Sequence, residues 1–260
     1  MHLHAECAGV PEGPAVVLIQ GLGAHGGAWG PIRGCLAGTH EVVAVDNRDS
    51  GRSPRSVASY TVGEMADDVA ETLASRGIKR CDVLGQSMGS AIALHLAAQY
   101  PDLVDRVVAV ATPVRVEAHL VALFDLIGRH AEQLSAPFIA QLALLFGLHP
   151  GAFQRLPGLP ELATAAAQAD PYPIDPAAYN RQVAALRNTE LCAALPKVNA
   201  DVLFIHGADD WLVPIDQARE ANRLTRNSRL VVMADTGHAP GLERYDDYQN
   251  LVTDHLRRDQ

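Results

Sequence analysis

Cysteine is scarce in this sequence and shows no paired spacing. The 260 residues include four widely separated cysteines: Cys7, Cys35, Cys81 and Cys192. Such spacing is typical of neither a zinc site nor a disulfide framework, so we expect four reduced cysteines in the protein core. His2 and His4 have the spacing of a metal pair on one face of a strand, but two ligands seldom hold a metal ion. We therefore predict no metal site.

Long apolar runs and an excess of basic residues are also missing. No stretch approaches the roughly 18 apolar residues that cross a bilayer, and segment 1–9 lacks the basic flank and apolar run of a signal peptide. A net charge of −9 and a pI near 5.6 disfavour nucleic acid and anionic membranes as partners. We therefore expect a soluble, cytoplasmic protein that acts on a small, neutral or apolar molecule. The oligomeric state, including a homo-oligomer, is left open.

Short valine-rich strands alternate with helical stretches along much of the chain. Six predicted strands are apolar and bounded by Gly, Asp or Asn: 15–19, 41–46, 81–85, 106–111, 201–206 and 229–233. This alternation predicts an α/β fold with a mostly parallel sheet between helices, so both faces of each strand should be buried. A capping box of Thr61 and Glu64 predicts the start of a helix that ends at Gly77.

One long segment, residues 113–197, interrupts this rhythm. It contains helical patterns and proline-rich turns but no convincing strand. Because it is long and apolar, we interpret it as a helical lid inserted into a core formed by residues 1–112 and 198–260. Its apolar stretches either line a pocket or only pack the insertion onto the sheet, and the sequence leaves both interpretations open.

A serine lies where a predicted strand turns directly into a helix. Residues 85–89 read Gly-Gln-Ser-Met-Gly, between the strand 81–85 and an alanine-rich stretch. Small residues are needed where the two backbones pass closely. In this context Gly-x-Ser-x-Gly is typical of the nucleophile elbow, which exposes the serine hydroxyl above the sheet. We therefore predict that Ser87 is a nucleophile.

A nucleophilic serine needs a histidine base and a carboxylate that orients the histidine. Asp209 and Asp210 follow the strand 201–206, and His238 follows the strand 229–233. Both loops lie at the carboxyl ends of parallel strands, where open α/β folds bind ligands. The chain order is Ser, Asp, His, which is that of the α/β hydrolases. His206, at the end of its strand, is expected only to form a hydrogen bond within its loop.

The glycine-rich loop after the first long strand allows two interpretations. Residues 21–26 match Gly-x-Gly-x-x-Gly, and Asp46 closes the next strand about twenty residues later, as in a dinucleotide-binding fold. That fold, however, gives no role to the serine, aspartate and histidine in their three later loops. In a hydrolase the same loop supplies a main-chain N–H that stabilises the oxyanion of acyl transfer.

Taken together, these motifs resemble the α/β-hydrolase family over essentially the full chain. The loop QGLGAHGGAW and the turn DNRDSGRS are similar to those of the aclacinomycin methylesterase and enol-lactonase branch. Two positions depart from the family pattern. Gln20 stands where a histidine is usual, and Asp49 stands where a glycine is common.

The resemblance implies hydrolysis of a carboxylic ester or lactone through an acyl-enzyme. Ser87 would attack, His238 would carry the proton and Asp210 would orient His238. The family spacing from the loop glycine and the following proline selects Asp210 over its neighbour. The oxyanion donors would be the N–H groups of Leu22 and Met88, and this chemistry needs no cofactor.

Four further residues are candidates for the substrate pocket because they adjoin these motifs: Gly21, His25, Gln86 and Trp211. Two alternatives to an esterase or lactonase remain. Carbon–carbon bond hydrolases share the same triad, and some hormone receptors resemble this fold with the triad intact, so a ligand-binding role is also open.

Overall fold

The computed structural model describes residues 1–189 and 191–257. Within these residues, seven strands form one sheet in the order β1-β3-β2-β4-β5-β6-β7, with β1 antiparallel to β3 and every other pair parallel. The strands are β1 Ala5–Gly9, β2 Ala15–Ile19, β3 Glu41–Val45, β4 Cys81–Gln86, β5 Val104–Val110, β6 Asp201–Gly207 and β7 Ser228–Met233. The predicted α/β class is confirmed.

Helices cover both faces of this sheet. In the described ranges they are α1 Pro31–Ala37, α2 Val62–Ser75, α3 Met88–Gln99, α4 Ala118–His130, α5 Ala136–Gly147, α6 Pro150–Arg155, α7 Leu159–Ala169, α8 Pro176–Arg187, α9 Leu191–Ala194, α10 Ile215–Leu224, α11 Pro240–Glu243 and α12 Tyr245–Leu256, with 3-10 turns at Gly26–Trp29 and Leu195–Lys197. Alternate strand residues point to opposite faces. In β2, Val17 and Ile19 pack in the core with α2 and α3, whereas Val16 and Leu18 pack with α1 and α12.

The strand prediction was right for six of the seven described strands. It missed the edge strand β1, and it overestimated the burial of the edge strand β7. All six predicted strands are present, with shifts of two residues or fewer at their ends. The sequence analysis missed β1, in which only Ala5 is buried and which includes no apolar run. The expected burial of both faces is wrong for β7, because this strand lies at the edge of the sheet and only Met233 in it is buried.

Two local predictions had different outcomes. Thr61 and Glu64 form the reciprocal capping box of α2, and Gly77 follows the helix with a φ of +74°, which glycine tolerates best. The prediction of four core cysteines is wrong, because Cys7 and Cys192 are exposed and Cys35 is only partly buried. The two exposed thiols have polar partners from other elements, since Arg76 Nη1 donates to Cys7 Sγ at 3.0 Å and Cys192 Sγ lies 3.9 Å from the carboxylate of Glu220.

The connection between β5 and β6 is helical. Residues 113–189 and 191–197 contain helices α4 to α9 and a 3-10 turn, with no strand among them. Leu191 and Leu195 pack in the main core beside α3, so the last two turns of this segment lie against the sheet layer. None of the helices in the described part of the chain has the length and apolar character needed to cross a membrane.

Candidate active site

Ser87 occupies a strained turn between β4 and α3. Its φ is +53° and its ψ is −121°, a conformation that stores about 1–3 kcal/mol in a non-glycine residue. The glycines on either side permit it. A Cβ on Gly85 would collide with the backbone of Gly89, and a Cβ on Gly89 would collide with the carbonyl oxygen of Ile19. The turn has the geometry predicted from the five-residue motif.

The acidic loop after β6 directs one carboxylate at the histidine. Asp210 is buried, and its Oδ2 accepts a hydrogen bond from His238 Nδ1 at 2.8 Å, while its Oδ1 accepts from the N–H of Val213 at 2.9 Å. Asp209 is exposed and points elsewhere. The bond at Nδ1 leaves Nε2 of His238 as the nitrogen that can accept a proton.

The protonation of His238 is controlled by neighbouring carboxylates. Burial disfavours the imidazolium, but the charge of Asp210 and the hydrogen bond to it outweigh burial, and Glu243 adds to them. The pKa of His238 therefore lies above its usual 6.5. A proton taken up by this imidazole is stabilised at the site.

A second histidine, His206, lies beside Asp210. His206 is buried, donates from Nε2 to the carbonyl of Val213 at 2.8 Å and lies 3.5 Å from Oδ2 of Asp210. Burial holds the pKa of His206 below its usual value, against the opposing charge of Asp210. The expected hydrogen bond within the loop is present, and the neutral ring also helps to fix the loop of Asp210.

Glu243 is a buried residue that the sequence analysis missed. Its Oε1 accepts from the N–H groups of Gly237 and Ala239 at 2.9 and 3.3 Å, and its Oε2 accepts from the N–H of His149 at 2.9 Å. The two flanks of His238 are thus held by one carboxylate. The only sequence signal was an acidic residue five positions after the histidine.

The loop after β2 lies directly against Ser87. A Cβ on Gly21 would lie 3.2 Å from Cβ and 3.7 Å from Oγ of Ser87. Across the described residues, no hydrogen bond uses the N–H of Leu22 or of Met88. Both predicted donors therefore remain available to a ligand beside Ser87.

Ser87 and His238 line one cavity of about 570 Å³. Gly21 and Gln86, two of the predicted pocket residues, also line it, and Gln86 Nε2 donates to the carbonyl of His238 at 2.9 Å. Much of the remaining wall comes from the helices between β5 and β6: Leu120, Leu123, Phe124, Ile127, Ile139, Leu142, Leu144, Tyr179 and Leu186. The lining residues include no Asp, Glu, Lys or Arg.

The other two predicted pocket residues lie outside this lining. His25 accepts from the N–H of Gly27 at the start of a 3-10 turn, and its Nε2 lies 3.2 Å from Asp170. Trp211 is 47% exposed and packs against Phe146 and His119. Both side chains are engaged by these local partners and neither lines the cavity, so the pocket assignment is corrected for these two residues.

One cluster in the described part of the chain has the spacing of metal ligands. Ligand atoms of His149, Asp209 and Asp235 lie within 4.8 Å of one another, outside the cavity lining. Both aspartates are exposed. Arg155 donates to the carbonyl of Asp235 at 3.0 Å, which already puts a positive charge beside them. We assign no metal to this cluster.

Comparisons with known proteins agree with this architecture. A family profile described as alpha/beta hydrolase fold matches residues 14–245. A protein of Escherichia coli O17:K52:H18, named "Putative carbamate hydrolase RutD", is 28% identical over 251 residues, or 94% of this chain and 88% of that protein.

Solved structures show the same fold. The enol-lactonase from Burkholderia xenovorans LB400 superposes with a TM-score of 0.85 at 24% identity and covers 98% of this chain and 96% of its own. The 2-hydroxy-6-oxo-6-phenylhexa-2,4-dienoate hydrolase from Rhodococcus sp. strain RHA1 has a TM-score of 0.79 at 25% identity, over 98% of this chain and 95% of its own. Because the family profile spans most of the sequence and these structures share its sheet and helices, the chain belongs to the α/β-hydrolase family.

Proposed function

We propose that this protein is a serine hydrolase that cleaves a carboxylic ester or lactone of a neutral, largely apolar small molecule. The observation that carries the proposal is a cavity of about 570 Å³ that holds Ser87 and His238 in its wall but no Asp, Glu, Lys or Arg. Such a cavity combines a nucleophile and a base with an uncharged, mainly apolar surface, which suits an apolar acyl or alcohol group.

In this proposal the reaction runs through an acyl-enzyme. Ser87 Oγ attacks the carbonyl carbon while Nε2 of His238 takes the serine proton, and the carbonyl oxygen becomes an oxyanion between the N–H groups of Leu22 and Met88. The tetrahedral intermediate collapses, the bond to the leaving oxygen breaks, and His238 returns the proton to that oxygen. A water molecule then attacks the acyl carbon while His238 takes a proton from it. The second tetrahedral intermediate collapses, the bond to Ser87 Oγ breaks, His238 returns the proton to that oxygen, and the acid is released. Asp210 stabilises the imidazolium at both stages.

The uncharged wall also argues against the alternatives. A dienoate, which is named as the substrate of the Rhodococcus enzyme, carries a carboxylate, and burying a carboxylate without a cationic partner is strongly unfavourable. The name of the Escherichia coli relative gives a carbamate of no stated size, and a small carbamate would leave most of a cavity of about 570 Å³ unfilled. An ester or lactone with a sizeable apolar group would fill the cavity.

The helical segment 113–197 is the lid in this proposal. Its helices α4, α5 and α8 contribute apolar side chains to the cavity that contains Ser87, so substrate selection resides mainly in this segment. No cofactor takes part in the proposed chemistry.

The experiment that tests the proposal is active-site labelling followed by peptide mapping. The protein is treated with a fluorophosphonate, and in parallel with neutral p-nitrophenyl esters, aryl methyl esters and lactones. We expect stoichiometric labelling of Ser87 and turnover of at least one neutral class. Labelling of another residue would reassign the nucleophile, and tight binding of apolar ligands with no turnover of any class would favour the receptor interpretation.

A further inference from the structure

A glutamine from helix α8 holds the loop that carries Leu22. Gln182 is fully buried, and its Oε1 accepts a hydrogen bond from the N–H of Gly23 at 2.9 Å. Its Nε2 donates to the carbonyl of Arg48 and to Oγ of Ser50, both at 2.8 Å. Because the carbonyl and the amino group of the amide are both engaged, its orientation is fixed.

The turn after β3, which includes Arg48 and Ser50, also contacts the loop of Leu22 directly. Asn47 is buried, and its Nδ2 donates to the carbonyl of Gln20 at 2.8 Å. The turn therefore fixes Gln20 directly and fixes Gly23 through Gln182. Leu22, whose N–H is a proposed oxyanion donor, lies between these two anchored peptides.

The neighbour of Gln182 attaches helix α8 to the turn independently. Arg181 donates from Nε and Nη2 to the two carboxylate oxygens of Asp49, at 2.8 and 2.9 Å. Asp49 is fully buried with a φ of +69° and also accepts from the hydroxyl of Tyr60 at 2.8 Å. This pair explains why an aspartate, rather than the glycine common in the family, stands at position 49. It fixes the helix, and among the described residues neither Arg181 nor Asp49 forms a hydrogen bond with the loop of Leu22.

We propose that Gln182 is a positioning residue of the reaction, which fixes the peptide after Leu22 and thereby aims the Leu22 N–H at the developing oxyanion. The inference rests on the proposed function. An oxyanion contact exists in the transition state and not in the bound substrate, so its loss lowers kcat and leaves KM nearly unchanged.

The test compares Gln182→Met, which keeps the length of the side chain but forms none of these hydrogen bonds, with Arg181→Lys on the same helix. Each is assayed on a neutral p-nitrophenyl ester and titrated calorimetrically with an alkylboronic acid, which forms a tetrahedral adduct on a serine hydroxyl. Removing an oxyanion donor outright lowers kcat by about 10²–10³-fold. We expect Gln182→Met to lose on the order of 10²-fold in kcat and a similar factor in boronate affinity, with KM within about twofold. Arg181→Lys should lower Tm but leave kcat and boronate affinity near those of the wild type.

Two controls make every outcome interpretable. If Gln182→Met does not fold, Gln182→Asn is measured instead, because its amide is one methylene too short to reach both Gly23 and Arg48. A folded Gln182 variant with wild-type kcat and boronate affinity overturns the inference, as does an equal loss of kcat in Arg181→Lys. If Ser87→Ala keeps the boronate affinity of the wild type, the proposed function itself fails, and this result is distinct from the other two.

Discussion

The backbone N–H of His238 donates to the carbonyl of Gly147, the last residue of α5, at 2.5 Å. Two residues further along the chain, the N–H of His149 donates to Glu243, which also holds both flanks of His238. The histidine loop and the junction after α5 are therefore one hydrogen-bonded unit. A movement of this junction would displace the proposed base.

Replacing Glu243 should disturb this unit. An amide has one acceptor oxygen and one donor nitrogen, so in Glu243→Gln one N–H group would face another donor in a buried site. We expect a loss of about 1–3 kcal/mol in the free energy of unfolding, measured by urea titration, and a fall in kcat of at least about tenfold from misplacement of His238. Unchanged kcat would mean that the loop keeps its position without this carboxylate.

Removing the serine hydroxyl should abolish activity without unfolding the protein. Ser87→Ala is expected to lower kcat by several orders of magnitude and to leave Tm nearly unchanged, because the hydroxyl contributes little to the core. Ser90→Ala is the matched control, since Ser90 lies one turn away in α3 and its hydroxyl donates to the carbonyl of Ser87. Esterase activity that survives Ser87→Ala but not Ser90→Ala would contradict the assignment.

The two adjacent aspartates should differ sharply. Asp210→Asn removes the charge that stabilises the imidazolium and favours the wrong imidazole tautomer, so kcat should fall by about 10³ to 10⁴-fold. Asp209→Asn changes an exposed side chain and should cost less than about tenfold. Steady-state kinetics of the purified pair at neutral pH distinguishes them, and the opposite ranking would reassign the acid to Asp209.

The raised pKa of His238 predicts the pH dependence of activity and of stability. The neutral imidazole is the base, so kcat/KM should rise with pH through a midpoint above 6.5. The protonated ring is favoured in the folded state, so its contribution to stability is fully present below the unfolded pKa of about 6.5 and is lost as pH rises through the folded pKa. Three titratable groups face the ring, namely Asp210, His206 and Glu243. Glu243→Gln should therefore move the midpoint of kcat/KM towards lower pH, and a midpoint that does not move would exclude this electrostatic coupling.

The apolar cavity predicts a preference for longer neutral acyl chains. Each methylene buried in the transition state contributes about 0.8 kcal/mol, so kcat/KM for p-nitrophenyl esters should rise about fourfold per added carbon until the cavity is full. Esters with a terminal carboxylate on the acyl chain are the matched control, and they should react poorly because no Lys or Arg lines the wall. A strict preference for acetyl or for anionic esters would contradict this prediction.

The parts of the site that were predicted from sequence are short motifs whose reactive residue lies directly beside a recognisable strand. The elbow around Ser87 combines two glycines, a strand and a helix within residues 81–99, and the loops of Asp210 and His238 each follow a clear apolar strand. The central strands are equally easy to predict from the sequence because they are buried on both faces and almost wholly apolar.

The missed parts depend on contacts between residues far apart in the chain. Gln182 holds the N–H of Gly23 across 159 positions, and no periodicity or motif around position 182 indicates it. The edge strand β1 escaped prediction because only Ala5 of its five residues is buried, so the strand has no alternating apolar pattern. His25 was placed in the pocket because it adjoins the glycine-rich loop, but its contact with Asp170 comes from the end of α7.

Because Ser87 has a positive φ, the substitution that would raise the stability of the protein at this position would also remove its activity. Of the standard residues, glycine alone adopts such a backbone readily, so Ser87→Gly would release strain of about 1–3 kcal/mol while deleting the nucleophile. A mutant library selected only for resistance to heat should therefore accumulate inactive chains altered at this position. Selection for heat resistance in this protein has to be coupled to a catalytic screen, because one gain in stability lies at the residue that the proposed reaction cannot lose.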